Sequence, residues 1–241
     1  MASPELEIIY SDEYLLAVNK PAGLPMHSNL DPRRPNLVSL LQERLRQSGE
    51  SDYLALHQRL DLGTSGVVVL GRRPEANPSL AEQFATHRVG KYYWAIAWAS
   101  GHLPSTRWEC TYPLAAPLQR GGRVRWRRGE AEGDFKGAVT KFRLLRRGGG
   151  ALLIEAKLES GRKHQVRAHL AAQKMALVGD KLYGAPVEEG DKFTPYPLLH
   201  ALRLELKHPL SGRPLLFTAP PPLEFRRQMG LRHLGRVEDY E

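Results

Sequence analysis

A single cysteine, Cys110, stands among the 241 residues. That excludes a disulfide framework within the chain and all but excludes a cysteine-based zinc site. Nothing points to an oxidising compartment. The opening, Met1 to Lys20, has no basic run followed by an apolar core, so it does not read as a signal peptide. No uncharged apolar stretch approaches the roughly 20 residues that span a bilayer. The chain shows no repeat and no low-complexity tract, so all of it is expected to fold. Gly-x-Ser-x-Gly elbows and P-loops are missing as well. A cytoplasmic protein without a membrane partner is expected.

What the sequence does have is positive charge: a formal net +9 and a pI near 9.8. An excess of this size attracts polyanions, RNA or DNA first, although a merely basic soluble protein accounts for it equally well. Hydrophobic residues make up 41% and charged residues 25% of the chain, enough apolar material for a sizeable core. A single domain over residues 1–241 is expected. A loop-like weak joint over Gly184 to Tyr196 is not taken as a boundary.

Short apolar runs bounded by turn residues recur along the chain. Leu6 to Tyr10 and Leu15 to Asn19 predict a strand pair split by Ser11-Asp12-Glu13. Val67 to Leu70 is apolar and β-branched and predicts a buried strand. Tyr92 to Trp98, Val139 to Leu145, Ala151 to Leu158 and Leu199 to Leu206 predict further strands, the last two by alternation. Helices are predicted over Asn36 to Arg46, over Ser79 to Thr86 behind an Asn77-Pro78 N-cap, and over Lys163 to Gln173. Strands outnumber helices, and few neighbouring strands are separated by a crossover helix. The expected fold class is therefore α+β, a mostly antiparallel mixed sheet with flanking helices.

The most informative stretch is Leu56-His57-Gln58-Arg59-Leu60-Asp61-Leu62-Gly63-Thr64-Ser65-Gly66, running straight into Val67-Val68-Val69-Leu70. A Gly/Thr/Ser turn before a buried strand displays a guanidinium and a carboxylate two residues apart, on the kind of loop that carries reactive groups. By residue type alone, a surface Arg-Asp turn is the more ordinary account.

The stretch resembles the central motif of the RluA-type pseudouridine synthases, His-Arg-Leu-Asp, two variable residues, then Thr-Ser-Gly. Arg59-Leu60-Asp61 and Thr64-Ser65-Gly66 match it in order and spacing. Gln58 stands where the family has histidine, with His57 one place earlier, and Gly63 where relatives often carry Asp. The resemblance extends over nearly the whole chain. Asn19-Lys20-Pro21-Ala22-Gly23 resembles the family opening, and Lys91-Tyr92-Tyr93-Trp94-Ala95 its Lys-x-Tyr-x-Ala strand. Gly161-Arg162-Lys163-His164-Gln165-Val166-Arg167 is similar to its Gly-Arg-x-His-Gln-Ile-Arg helix. Gly179-Asp180-Lys181-Leu182-Tyr183-Gly184, Leu199-His200-Ala201 and His208-Pro209-Leu210-Ser211-Gly212 follow in order.

The resemblance implies a pseudouridine-synthase-like catalytic domain with its active site in a central cleft, without the small N-terminal RNA-binding domain of some relatives. It implies isomerisation of a uridine within ribosomal or transfer RNA, without a cofactor. Asp61 is implied as the essential carboxylate, acting on the ribose in its ionised form, with Arg167 as the cationic partner that counters desolvation. Tyr93 is implied to pack on the target base. Arg59 is implied to fill the space of the flipped uridine. Lys20 and Arg162 are expected to hold phosphate or to pair with acids.

His164 and His169 are five apart, whereas two ligands on one helix face prefer four, so no metal is expected. Arg120 to Arg128 carries five arginines around Trp126 and reads either as a basic flap for RNA or as a plain solvated hairpin. RNA is the expected partner of a monomer with no obligate protein partner. The rival accounts are a catalytically inactive RNA-binding protein of the same fold and a small-molecule hydrolase with Asp61 as nucleophile.

Overall fold

The computed structural model describes residues 6–28, 34–98, 105–119, 121–148, 150–184 and 194–229. Residues 185–193 of the suspected joint, and Arg120 at the edge of the basic segment, lie outside the described residues.

In chain order the first elements are β1 (Glu7–Ser11), β2 (Leu15–Lys20), α1 (Leu37–Gln47), β3 (Ala55–Leu56), β4 (Ser65–Gly71) and α2 (Asn77–Ala85). Then come β5 (Gly90–Trp98), β6 (Arg107–Cys110), β7 (Leu114–Ala115), β8 (Arg125–Trp126), β9 (Thr140–Gly148) and β10 (Ala151–Leu158). The last are α3 (Gln165–Ala172), β11 (Leu199–Lys207), β12 (Pro214–Thr218) and α4 (Leu223–Gln228). The chain forms two compact units, Met1–Lys91 with Ala201–Pro220 and Tyr92–His200 with Pro221–Glu241.

The first unit holds the strand order β1-β2-β4-β11, with β3 also on β4 and β12 on β11. β2 runs antiparallel to both β1 and β4, in a register that sets Lys20 opposite Gly66 and Leu15 opposite Gly71. The predicted turn between β1 and β2 is built by Asp12. One carboxylate oxygen accepts from the amides of Tyr14 and Leu15 at 2.8 and 2.7 Å, and the other from His208 Nε2 at 3.1 Å. The opening and the His208-Pro209 motif are thus one scaffold feature. Every residue of β4 is buried, and Val67 and Val69 pack with Leu15, Ala17, Leu80, Leu204 and Phe217. Each buried Val, Leu or Phe side chain here contributes about 1.5–3 kcal/mol.

The second unit orders its strands β5-β10-β9-β6, all antiparallel, with the short β7–β8 hairpin beside α3. Its core includes Ala95, Ala97, Phe142, Ile154, Ala156, Val166, Leu170 and Leu199. Both units mix strands and helices in the expected α+β manner.

Two helix starts differ from expectation. Asn77 lies inside α2 rather than capping it. A 3₁₀ turn at Pro74–Ala76 feeds the helix, and the Asn77 side chain bonds His57 Nε2 at 3.1 Å. Helix α3 begins at Gln165, because His164 adopts a left-handed backbone (φ 53°) that ends the preceding turn. Arg162 and Lys163 therefore precede the helix and share no face of it with Arg167.

Candidate active site

Asp61 opens a tight turn in which the Thr64 amide donates to the Asp61 carbonyl at 3.0 Å. The turn delivers the chain into β4, whose burial fixes it from one side. From the other side it is latched to the Asn19–Gly23 segment, where the Gly23 amide donates to the Leu62 carbonyl at 2.8 Å. Gly66 makes this crossing possible. Its φ is +111°, and a β-carbon there would lie 2.2 Å from the Ala201 carbonyl oxygen. Asp61 itself is half-buried.

Lys20 lies beneath this turn with none of its surface exposed. Its ammonium donates to the carbonyls of Pro21 and Leu24, each at 2.9 Å, and reaches Leu62 O at 3.4 Å. Burial pushes its pKa down to about 8, and the negative charge of Asp61 works in the opposite direction. That geometry suits a buried cation that braces the Asp61 turn. Of the two roles expected for Lys20, holding phosphate or pairing with an acid, its burial and its electrostatic link to Asp61 favour the second.

Tyr93 stands on β5 opposite Ala156 of β10 and packs, half-buried, against the Ala95 and Ala156 side of the second unit's core. Alternation along the strand sends the buried Trp94 to the other face.

Helix α3 is anchored at its first residue by a fully used amide. Gln165 Nε2 donates to the Val139 carbonyl and Thr140 Oγ1, both at 2.9 Å. Its Oε1 accepts from Ser160 Oγ at 2.8 Å and the Arg162 amide at 3.0 Å. Two residues on, Arg167 is nearly buried and grips Asp180 by two points, Nε to Oδ2 at 2.8 Å and Nη2 to Oδ1 at 2.9 Å. Its guanidinium carbon also lies 5.1 Å from the centre of the Tyr183 ring. Asp180 and Tyr183 both belong to the Gly179-Asp180-Lys181-Leu182-Tyr183-Gly184 stretch, whose spacing alone assigns neither of them to Arg167.

The other expected binding residues lie at the surface. Arg59 is exposed and pairs with no acid among the described residues. Arg162 is exposed too, its Nε donating to the Gly137 carbonyl at 3.2 Å. Gln58, at the family's histidine position, buries a side-chain nitrogen that has no partner among the described residues.

The histidines have protein partners. His169 Nε2 donates to the Tyr112 carbonyl and its Nδ1 accepts from Thr140 Oγ1, both at 2.9 Å, and burial lowers its pKa. His164 Nδ1 lies 3.3 Å from Tyr183 Oη. Among the described residues no group of histidine, cysteine and acid side chains is assembled to hold a metal ion, and no helix is long and apolar enough to cross a membrane.

Comparison with known proteins matches this chain to one family. The model of the RNA pseudouridylate synthase family matches residues 14–172. The dual-specificity RNA pseudouridine synthase RluA of Haemophilus influenzae is 32% identical over 220 residues, covering 90% of this chain and 93% of that protein. The tRNA pseudouridine synthase C of Salmonella typhimurium is 35% identical over 230 residues, covering 89% and 85%. The ribosomal large subunit pseudouridine synthase D of Xanthomonas campestris is 33% identical over 237 residues, covering 93% and 68%. Among solved structures, human RNA pseudouridylate synthase domain containing 4 superimposes with a TM-score of 0.74 at 25% identity, covering 95% of each chain. The chain belongs to the RNA pseudouridylate synthase family, among relatives of the RluA type.

Proposed function

We propose that this enzyme isomerises a uridine in ribosomal or transfer RNA, with Asp61 as the catalytic carboxylate. The observation that carries the reading is the Asp61 turn: a half-buried carboxylate at the mouth of a buried strand, braced by the fully buried ammonium of Lys20. The negative charge of Asp61 acts on the Lys20 ammonium, which ties the carboxylate to a buried cation. The names of the relatives supply the substrate class.

In this reading Asp61 acts on the ribose, by attack on the anomeric carbon or by assisting a glycal route. The bond from the anomeric carbon to N1 breaks, the uracil turns, and its C5 bonds to the same carbon. The C5 proton then leaves and N1 regains one, so atoms and charge balance without a cofactor. Tyr93 offers a flat face to the detached base and a hydroxyl for proton transfer. Arg167 supplies the positive charge that the resemblance pairs with Asp61, its planar fork held in place by Asp180. Arg59 takes the space left by the flipped nucleotide.

The test is to incubate the purified protein with ribosomal and transfer RNA lacking pseudouridine and to measure pseudouridine by mass spectrometry. Product in either RNA supports the reading. Binding without product would favour a catalytically inactive RNA-binding protein of the same fold.

A further inference from the structure

The arginine-rich segment folds as the β7–β8 hairpin, with Leu114 opposite Trp126 and Ala115 opposite Arg125. Within it the Trp126 indole lies on the Tyr112 ring with centroids 5.6 Å apart and planes 16° from parallel. Trp126 nevertheless keeps 40% of its surface exposed. One face of the indole is covered by Tyr112, and the exposed remainder leaves ring surface on which a second flat partner can stack.

The hairpin is held rigidly. The Val124 amide donates to Tyr183 Oη at 2.9 Å, and Leu114, Val124 and Ala138 pack with Ala168 and Tyr183. Tyr112 is fixed through its carbonyl by His169. The surroundings are basic. Arg125 and Arg127 are paired with Asp134 and Glu132. The exposed side chains of Arg123, Arg128 and Lys136 form no ion pair among the described residues.

We propose that the Tyr112–Trp126 stack is a platform for one unpaired base of the RNA substrate, with Arg123, Arg128 and Lys136 taking the adjoining phosphates. The proposal rests on the RNA-modifying function proposed above. Charge selects the occupant: a preformed aromatic stack with unneutralised cations at Arg123 and Arg128 beside it in the chain, and at Lys136 bridged to Leu114, fits a nucleotide, whose base has a π-face and whose backbone is anionic. An apolar protein segment would leave those cations unanswered.

The test uses the fluorescence of the full chain. Trp94 and Trp98 are buried and Trp108 is half-buried, so Trp126 is the most exposed of the four tryptophans. Short single-stranded oligouridylate is expected to quench wild type more than duplex RNA of equal length does, and Trp126→Phe is expected to remove that quenching. Trp126→Ala should weaken single-strand binding by roughly 5- to 150-fold, the range of one base stack. Stacking releases no counterions, so the ratio of wild-type to Trp126→Ala affinity should stay constant as salt rises. Quenching that survives in Trp126→Phe, or unchanged affinity in Trp126→Ala, overturns the platform. Failure of the enzyme reading is distinguishable: there, wild type makes no pseudouridine whatever Trp126 does.

Discussion

Asp180, fully buried, holds Arg167 through two parallel hydrogen bonds of 2.8 and 2.9 Å. The pair fixes the plane of a guanidinium that a single contact would leave free to turn. Breaking a buried ion pair by removing one partner is strongly destabilising, so Asp180→Ala should lower folding stability by about 3–5 kcal/mol. Denaturant unfolding of the variant measures this. Arg167→Lys keeps the charge and loses the fork. It should bind RNA with near-normal affinity while kcat falls on the order of tenfold, about 1.4 kcal/mol of barrier. Unchanged kcat in that variant would remove Arg167 from the chemistry.

Lys20 yields a pH prediction. Its folded pKa is depressed to about 8 by burial, whereas the unfolded chain titrates near the ordinary lysine value, about 10.4. Between those values the unfolded chain binds more protons, so stability rises with pH there. The penalty for burying the charge, on the order of 3 kcal/mol, is fully present below pH 8 and is relieved towards pH 10.5. Wild type should therefore gain stability relative to Lys20→Met as pH rises from 7 to 10, as thermal unfolding of both proteins across that range would register. A constant difference would mean that Lys20 is not buried as an ammonium.

Gly66 is the tightest point beside the candidate carboxylate. A methyl group there would sit 2.2 Å from the Ala201 carbonyl oxygen on a backbone at φ +111°. The obstacle is backbone, so it cannot swing aside, and Gly66→Ala should destabilise the protein by more than the roughly 1 kcal/mol of an ordinary glycine substitution. A melting temperature equal to wild type would refute the close approach.

Much of this was legible in the sequence, and the reason is physical. Long strands announce themselves, β4 by an unbroken apolar, β-branched run and β10 by its alternation. The two-residue strands β3, β7 and β8 are too short to carry a period. β12 opens on Pro214, which the sequence presents as a turn. The start of α3 was misplaced because nothing in the letters His164-Gln165 reveals a left-handed residue. The site divided in the same way. Asp61 could be found from its motif, whereas the burial of Lys20 and the Arg167–Asp180 grip are tertiary facts that local spacing does not encode.

The basic excess makes a salt prediction. If arginine and lysine side chains contact phosphate, each contact releases a counterion, and log affinity should fall linearly with log salt. Titrations at several salt concentrations give the slope. A flat response would place the net charge of +9 outside the binding surface.

The central claim is that Asp61 performs the chemistry, and Asp61→Asn tests it most directly. The amide has nearly the shape of the carboxylate, and the backbone bond from the Thr64 amide to the carbonyl of residue 61 is untouched. Single-turnover assays on RNA lacking pseudouridine should show no product from pure Asp61→Asn, while its folding and RNA affinity stay close to wild type. Appreciable pseudouridine formation by that variant would contradict the account.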